Sequence, residues 1–309
     1  MFGCTAGKIN SAPTGIIIYF IKGKIKGEII FMSYEKTGDI IREAHKNKYG
    51  VAAFNAFNYE AMKFAVDAAE QEGKPVVLQH YPGWRDYISF ETTVEIVKTL
   101  GNKAKVPVGV HLDHCGDIDI IIQAMRAGFM SVMYDGSRLP FEENIKTTKD
   151  AVKSAKEFGA DVEAELGNIG SAANIADYTD KSKFTDPNDA LEFCSETGVA
   201  SLAVAVGNAH GNYAALPSLD FPRIKTISNN IKIPLVLHGG SGIPDDQLRE
   251  AVQCGIAKVN VATDYFHAFY KAVETYVNGD NPKNIFSCMR GSQKDTVKFL
   301  ADKINLLYN

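Results

Sequence analysis

The stretch VAAFNAFNYEAMKFAVDAAEQEGKPVVLQ, residues 51–79, decides the fold of this chain. It opens with a short apolar run, Val51–Asn55, and closes with a second one, Pro75–Gln79. The segment between them, Tyr59–Glu72, carries apolar residues at helical spacing, and Gly73 follows it as a stop signal. The stretch therefore predicts a strand, a helix and a second strand, the unit from which parallel sheets are built.

The same alternation of apolar runs and charged, periodic segments continues along the chain. Eight such repeats in 309 residues favour a closed (β/α)8 TIM barrel over an open, doubly wound sheet. Additional helices are predicted at Asp39–Lys48, before the barrel, and between Asn281 and Leu307, after it. The predicted strands are Val51–Asn55, Pro75–Gln79, Val108–Leu112, Ser131–Tyr134, Val162–Leu166, Leu202–Val206, Leu235–Leu237 and Lys258–Val261.

The first 31 residues do not follow the pattern of the rest. Their most apolar run, GIIIYFI at 15–21, is far too short to span a bilayer, which needs about 20 apolar residues. Either Met32 is the biological initiator or residues 1–31 are an N-terminal extension, and the sequence leaves both readings open. Residues 32–309 are predicted to form one domain, because no linker or low-complexity tract interrupts them beyond residue 49.

The charge balance excludes two classes of partner. With 33 basic and 37 acidic side chains, the net charge is −4. Such a chain has neither the basic footprint that binds nucleic acid nor the basic patch that binds anionic lipid, so no nucleic-acid or membrane partner is expected. Five scattered cysteines without a CxxC pair predict reduced thiols and a cytoplasmic protein.

Polar residues gather where the predicted strands end. In a TIM barrel all carboxyl ends of the strands meet on one face, and active sites lie there. Residues far apart in the sequence are therefore expected to share one pocket. The residues at these positions are Asn55, Gln79, Asp113, His114, Asp135, Glu163, Glu165, His210, His238 and Asn260.

Three of these residues, His114, His210 and His238, form a pattern typical of a metal site. Three neutral imidazoles with one open coordination position are the ligand set of catalytic zinc. Each histidine alone is more often structural, but three at equivalent strand ends make coincidence the weaker explanation. Asp135 and Glu165 are either additional oxygen ligands or ion-pairing residues at the barrel rim, and the sequence leaves this open.

Two glycine-rich loops follow late predicted strands, GNAHG at 207–211 and HGGSG at 238–242, and the segment NVAT at 260–263 follows the eighth strand. Glycine lets a ligand approach backbone N–H groups, and N–H groups at strand–helix turns bind phosphate. Loops after strands 7 and 8 are the usual phosphate site of a TIM barrel. The residues alone therefore indicate a metal-dependent enzyme that acts on a phosphorylated small molecule.

These motifs resemble those of the class II, zinc-dependent fructose-bisphosphate and tagatose-bisphosphate aldolases. The resemblance runs from about Gly38 to about Leu300, and the order of the motifs makes it specific. The motifs are AFNAFNYE (53–60), HLDHC (111–115), VMYDGS (132–137), VEAELG (162–167), VGNAHGNY (206–213), LVLHGGSG (235–242) and KVNVATD (258–264).

The resemblance implies a role for each candidate residue. His114, His210 and His238 would hold one catalytic Zn²⁺, while Asp135 and Glu165 would form a second or alternate metal position. A further divalent ion or a monovalent cation is left open.

The remaining candidates would act on the substrate. Asp113 would move the C4-hydroxyl proton of a ketose phosphate, with Asn260 as a second catalytic residue, to give dihydroxyacetone phosphate through its enediolate. Arg290 would be lent to a neighbouring subunit, which implies a homodimer or homotetramer. The candidates for binding substrate or phosphate are Asn55, Gly211, Gly239, Ser241, Asn260, Thr263 and Arg290.

Three departures from the family pattern put the usual bisphosphate substrate in doubt. The loop Asn168–Ala173 carries no acid before Asp177, position 214 is Ala, and the residue two after the strand-2 glutamine is Tyr81. Fructose 1,6-bisphosphate, tagatose 1,6-bisphosphate and another sugar phosphate therefore stay open as substrates. A non-catalytic relative that binds metal and sugar phosphate is the alternative outside the enzyme class. The candidates to replace the missing acid are Asp177, Tyr178 and Arg85.

Overall fold

The computed structural model describes residues 33–308. The expectation that residues 1–31 are an extension lies outside the described residues, and the boundary at residue 32 stays a prediction. No helix between residues 33 and 308 is both long enough and apolar enough to cross a membrane.

Eight parallel strands close into a barrel in the order of the sequence, and this confirms the predicted TIM barrel. Each strand pairs in parallel with its neighbours, and the last strand pairs with the first. The strands are β1 (Val51–Asn55), β2 (Val76–His80), β3 (Val108–Cys115), β4 (Ser131–Tyr134), β5 (Asp161–Leu166), β6 (Ser201–Val204), β7 (Leu235–Leu237) and β8 (Ile256–Val261).

Helices surround the barrel, and most of them connect consecutive strands. Their bounds are α1 (Thr37–Asn47), α2 (Tyr59–Glu72), α3 (Phe90–Gly101), α4 (Ile118–Ala127), α5 (Phe141–Phe158), α6 (Ala176–Thr179), α7 (Pro187–Thr197), α8 (Phe221–Asn230), α9 (Asp245–Cys254), α10 (Thr263–Asn278) and α11 (Ile285–Tyr308). Single 3-10 turns lie at Pro82–Trp84 and Lys181–Lys183.

Local sequence explains where these helices begin and end. The side chain of Asn58 accepts a hydrogen bond from the backbone N–H of Ala61 and so caps α2. Gly73 ends that helix in the left-handed region, at φ 64°, which glycine adopts without steric cost. Pro244 occupies the capping position of α9, and Asp245 is the first residue of that helix.

Strand β6 ends earlier than the sequence predicted. The apolar run continues to Val206, but the strand stops at Val204 because the backbone of Ala205 pairs with Thr185. The Thr185 hydroxyl accepts from the Ala205 N–H at 2.9 Å, and the Thr185 N–H donates to the Ala205 carbonyl at 2.9 Å. His210 therefore lies in the loop beyond β6 rather than at the end of the strand.

Helix α1 closes the amino-terminal end of the barrel. Its Ile40 and Ile41 are buried and pack with Val51 and Val77 of the first two strands. At the start of the helix, the Thr37 hydroxyl donates to a β3 carbonyl at 2.9 Å. The predicted helix before the barrel is thus present, and it leaves the opposite end of the barrel open for the polar residues.

We expect Gly109→Ala to lower the free energy of unfolding by about 1–3 kcal/mol, the usual cost of overpacking a core. A Cβ atom at Gly109 would overlap the Thr37 hydroxyl and lie 3.1 Å from Ile40 Cδ1, which would displace α1 from the barrel. Urea denaturation measures the change, with Thr99→Ala on the exposed face of α3 as a control expected to stay within about 0.5 kcal/mol. Equal stability of Gly109→Ala and the unmodified protein would contradict this account.

Candidate metal centre

Three histidine side chains converge at the carboxyl end of the barrel. The Nε2 atom of His114 lies 3.1 Å from Nε2 of His210 and 2.8 Å from Nδ1 of His238. One nitrogen from each ring belongs to a group whose members all lie within 4.8 Å of one another. The structure therefore brings the three predicted metal ligands together, although β6 ends before His210.

The second ring nitrogen of His114 and of His238 has a hydrogen-bond acceptor. His114 Nδ1 lies 2.9 Å from Asp135 Oδ2, and His238 Nε2 lies 3.0 Å from Glu163 Oε1. His210 hydrogen-bonds to the backbone of Ile169. Metal-binding histidines are usually oriented in this way by an acceptor on the nitrogen that faces away from the metal.

These acceptors decide what the site can hold. A ring that donates a proton to its acceptor turns a lone pair toward the other two rings, and three such lone pairs repel unless a cation lies between them. The donor set of three imidazole nitrogens suits Zn²⁺ and related transition metals. The residues present therefore fit a bound metal ion.

A local irregularity of β3 brings both Asp113 and His114 into the site. Neighbouring side chains of a regular strand point to opposite faces, so only one of the two would face the interior. The register between β3 and β4 shifts between Leu112 and Cys115, and His114 has a left-handed backbone at φ 43°. Such bulges redirect side chains next to active sites, and non-glycine residues rarely adopt this φ.

A second group of potential ligands adjoins the histidines. His114, Asp135 and Glu165 each offer one atom within 4.8 Å of the others. The Ser137 hydroxyl donates to Asp135 at 2.7 Å. Glu165 Oε2 lies 3.7 Å from His238 Nδ1 and has no hydrogen-bond partner within the described part of the chain. The structure thus places Asp135 and Glu165 where oxygen ligands would lie, and their role stays a prediction.

The acidic groups of this region have strongly shifted pKa values. Burial, reinforced by the charge of Asp135, raises the pKa of Glu165 to about 8. Burial acts the same way on Asp135, but its hydrogen bonds to His114 and Ser137 outweigh this effect and lower its pKa. One carboxyl group of the pair is therefore held protonated while the other is held ionised.

The three histidines also respond differently to their surroundings. Burial, reinforced by the charge of His114, lowers the pKa of His210 to about 3. Burial also lowers the pKa of His238. Burial opposes the charge of His114 as well, but the carboxylates of Asp113 and Asp135 outweigh it and raise the pKa to about 9. Without a metal, one proton on His114 thus takes the place of the cation.

Asp113 is buried beside the histidines and is held by two amide side chains. Asn55 Nδ2 donates to Asp113 Oδ2 at 2.8 Å, and Asn260 Nδ2 donates to Oδ1 at 3.2 Å. Gln79 in turn donates to Asn55 Oδ1 at 3.1 Å. Burial would raise the pKa of Asp113, but the nearby His114 and the other cationic groups lower it below the ordinary value.

The glycine loops lie beside this cluster. Gly239 adopts φ 60°, and any Cβ atom there would overlap the carbonyl oxygen of Ala209, so only glycine allows the two loops to approach. Ser241 accepts a hydrogen bond from the backbone of Asp264 at 3.1 Å, next to Thr263 at the start of α10. Gly211 lines an adjacent cavity of about 410 Å³.

Two of the histidines, His114 and His210, open onto a larger cavity of about 730 Å³, which is also lined by residues that depart from the family pattern. Tyr81 lines it with 44% of its surface exposed, and Asp177 lines it from the short helix α6. Ala214 lines the smaller cavity instead. The lining residues of the larger cavity are Tyr81, His114, Asp135, Ser137, Arg138, Glu165, Asn168, Ile169, Gly170, Ser171, Asp177 and His210.

The loop after β5 is fixed to the backbone of His210, which the sequence did not reveal. Ala172 donates to the His210 carbonyl and the His210 N–H donates to Gly170, each at 2.9 Å. Asp177 accepts from the Ser171 N–H at 2.9 Å and pairs with Lys183 at 2.7 Å. Of the three candidates to replace the missing acid, Asp177 is therefore the one that faces the cavity.

Three other predicted residues lie away from the cavity. Tyr178 is buried and hydrogen-bonds to the backbone of Ala215, and Arg85 donates to the carbonyl of Pro82. Arg290 is exposed on α11, above the ring of Phe286 at 5.7 Å. A role for Arg290 in the site of a neighbouring subunit stays a prediction.

Lys258 is a residue of the site that the sequence did not single out, and it forms a buried ion pair with Glu163. Lys258 Nζ lies 3.0 and 2.8 Å from the two Glu163 carboxylate oxygens. The available signal was the two-residue spacing of Glu163 from Glu165 and of Lys258 from Asn260, which places each pair on one face of its strand.

Comparison with known proteins gives consistent matches. The family model described as class-II fructose-bisphosphate aldolase matches residues 35–309. The crystal structure of the YdjI aldolase from Escherichia coli K12 is 36% identical, with a TM-score of 0.78 over 87% of this chain and 96% of that one. Fructose-bisphosphate aldolase from Campylobacter jejuni is 23% identical, with a TM-score of 0.76 over 90% of this chain and 96% of that one, and supports the fold alone.

We expect Glu165→Gln to stabilise the metal-free protein increasingly as the pH rises. The pKa of Glu165 is raised from 4.5 to about 8 on folding. Its contribution to the stability of the folded protein is therefore fully present below pH 4.5 and is lost as the pH rises through 8. Glutamine does not titrate. The difference in the free energy of unfolding between the variant and the unmodified protein should therefore rise by about 2 kcal/mol, in favour of the variant, from about pH 6 to about pH 8.5.

Urea denaturation of chelator-treated protein at the two pH values measures this difference. The matched control is Glu95→Gln on α3, whose side chain is 72% exposed and which should shift stability equally at both pH values. A Glu165→Gln variant that behaves like this control would show that Glu165 is ionised in the metal-free protein.

Proposed function

The chain belongs to the class II fructose-bisphosphate aldolase family and is an aldolase, a carbon–carbon lyase for a phosphorylated sugar, and we propose that it works with zinc held by His114, His210 and His238. One observation carries the proposal. Three imidazole nitrogens, two of them on rings that are oriented by a carboxylate, meet beside the buried carboxylate of Asp113.

In the proposed reaction the bond between C3 and C4 of a ketose phosphate breaks, giving an aldehyde and the enediolate of dihydroxyacetone phosphate. A proton then added at C3 balances the one taken from the C4 hydroxyl and completes dihydroxyacetone phosphate. Zinc held by the three histidines would supply a Lewis acid at the C2 carbonyl. Asp113 accepts the proton of the C4 hydroxyl, and this proton transfer starts bond cleavage. Its lowered pKa keeps the carboxylate ionised and ready to act as a base.

Two amides prepare Asp113 for this task. The donors of Asn55 and Asn260 lie 2.8 and 3.2 Å from its two oxygens and hold the carboxylate in one orientation. The carbonyl oxygen of Asn260 has no hydrogen-bond partner among residues 33–308, although it is buried. We assign this oxygen to a substrate hydroxyl, which accounts for Asn260 as both a catalytic and a binding residue.

We propose that the glycine loops bind the phosphate of the substrate. Gly211 has a left-handed backbone and no atom within 4 Å of the place where a Cβ would lie, so its backbone is open to a ligand. Gly239, Ser241 and Thr263 follow strands 7 and 8, the usual phosphate region of this barrel. Anchoring the phosphate positions the reacting carbons and reduces the entropy lost on reaching the transition state.

The identity of the ketose phosphate is a proposal with named alternatives. Fructose 1,6-bisphosphate fits the family, and tagatose 1,6-bisphosphate or another sugar phosphate is the alternative. Tyr81 and Asp177 line the larger cavity where other members carry a small hydroxyl residue and a loop acid. These two side chains favour a substrate whose distal half differs from that of the usual bisphosphates.

The cellular setting is also proposed rather than tested. We propose a role in carbohydrate metabolism such as glycolysis, in the cytoplasm, by a homodimer or homotetramer. The exposed position of Arg290 on α11 supports the oligomer, because an arginine outside its own cavity is available to a second subunit.

Removing the metal should abolish cleavage of every ketose phosphate that the enzyme accepts. We expect chelator-treated protein to release no aldehyde from fructose 1,6-bisphosphate, tagatose 1,6-bisphosphate or other ketose phosphates, and Zn²⁺ to restore the activity. Elemental analysis of the purified protein identifies the ion. Chelator-insensitive cleavage would overturn the metal mechanism, and zinc binding without any cleavage would favour the non-catalytic alternative.

Asp113→Asn should lower kcat by about 10²–10⁴-fold, the usual contribution of general base catalysis. The amide keeps the shape of the carboxylate but cannot accept the hydroxyl proton. Metal content should stay within about threefold, because Asp113 is not among the three nitrogen ligands. Steady-state kinetics and elemental analysis measure both effects, with the exposed Asp119→Asn as the control. A variant with undiminished kcat would remove Asp113 from the mechanism.

A further inference from the structure

The interior of the barrel contains an ion pair that the proposed reaction does not use. Lys258 and Glu163 are 0% and 1% exposed, and Lys258 Nζ contacts both carboxylate oxygens. Lysine is almost never fully buried without a partner. This pair lies on β5 and β8, directly behind the histidine that follows β7.

A buried ion pair is weak evidence for stability. Transfer of two charges out of water costs several kcal/mol per ion, and replacing such a pair with apolar residues is often neutral or stabilising. The burial of Lys258 and Glu163 therefore calls for another explanation. Their contact with a proposed metal ligand supplies one.

Glu163 connects the ion pair to His238. Its Oε1 atom accepts from His238 Nε2 at 3.0 Å while it also contacts Lys258. The hydrogen bond assigns the ring proton to Nε2 and leaves the lone pair of Nδ1 directed at His114 Nε2, 2.8 Å away.

The three histidines differ in how firmly they are held. Asp135, which orients His114, is 24% exposed in its side chain and is itself fixed by Ser137. Glu163 lies among side chains that exclude water, so only protein groups can hold its carboxylate in place. Lys258 binds both oxygens, and Ser201 adds a longer hydrogen bond of 3.3 Å to Oε2. Lys258 is thus the main group that fixes the direction of Oε1.

We propose that Lys258 and Glu163 are positioning residues for the metal, with Lys258 fixing the Glu163 carboxylate so that it holds His238 with Nδ1 directed into the metal site. This inference rests on the proposed metal site, and it assigns to the pair a role in metal binding rather than in folding. Lys258 acts through two intermediaries and touches neither metal nor substrate.

The test measures metal affinity and stability separately in three variants. Lys258→Met removes the charge, Glu163→Gln removes the carboxylate, and the double variant Glu163→Leu/Lys258→Met removes both charges together. Zn²⁺ and Co²⁺ dissociation constants come from competition with a chromophoric chelator, and the visible spectrum of bound Co²⁺ reports the ligand geometry. Urea denaturation of the metal-free proteins gives the stability.

We expect each single variant to bind Zn²⁺ about 10–100-fold more weakly and to alter the Co²⁺ spectrum, the usual effect of removing an outer partner of a metal ligand. The double variant should regain the stability that the single variants lose, because no unpaired charge is left buried. Its metal affinity should stay low, because leucine at position 163 offers His238 Nε2 no acceptor. A double variant with recovered stability and low metal affinity is therefore expected only if the pair positions His238.

Two controls complete the design. Ser201→Ala removes a hydrogen bond to Glu163 but none to His238, and its metal affinity should stay within about threefold of the unmodified protein. Leu202→Ala leaves a cavity in the barrel and tests whether destabilisation alone weakens metal binding.

The outcomes distinguish this inference from the proposed function. Failure of the unmodified protein to bind Zn²⁺ or Co²⁺ would overturn the metal site itself. Unchanged metal affinity in the single variants would overturn the inference alone, as would a double variant that recovers affinity together with stability. If a single variant does not fold, the double variant decides between the two roles.

Discussion

Three imidazole nitrogens with lone pairs that face one another are the constraint on which the rest of this site depends. A ring nitrogen of His210 and one of His238 each lie about 3 Å from His114 Nε2, a distance that mutual repulsion would prevent unless a cation or proton lies between them. The second nitrogen of His114 and of His238 is bonded to a carboxylate, which opposes rotation of these two rings to relieve the repulsion. The nearby carboxylates supply the negative charge that compensates a divalent ion.

The barrel separates this polar cluster from the apolar core that stabilises it. Alternate residues of each strand pack outward against the helices, while residues such as Glu163 and Asn260 point into the interior. The strands are rigid, short and fully paired, so the groups at their carboxyl ends are held without help from a ligand. Such preorganisation is what proton transfer and metal binding require, because neither process then has to order the site.

The sequence predicted the barrel well because short apolar runs, glycine stops and strand-end histidines are local patterns. It predicted which polar side chains gather at the carboxyl end of the barrel, but not the geometry that joins them. Asp113 and His114 are adjacent in sequence, and both enter one site only because of a bulge that could not be predicted from the sequence. Lys258 and Glu163 meet across the barrel, so their contact depends on closure of the sheet rather than on any local signal. The pairing of the loop after β5 with the backbone of His210 is equally non-local.

The three histidines direct different ring nitrogens into the proposed metal site, so the distance from Cβ to the nitrogen differs among them. His238 offers Nδ1, which is two bonds from its Cβ, whereas His114 and His210 offer Nε2, which is three bonds away. The shorter side chain of asparagine therefore matches the span at 238, and the longer side chain of glutamine matches it at 114 and 210. A redesign that replaces these imidazole ligands with amide oxygens and keeps their distances therefore needs asparagine at 238 and glutamine at 114 and 210.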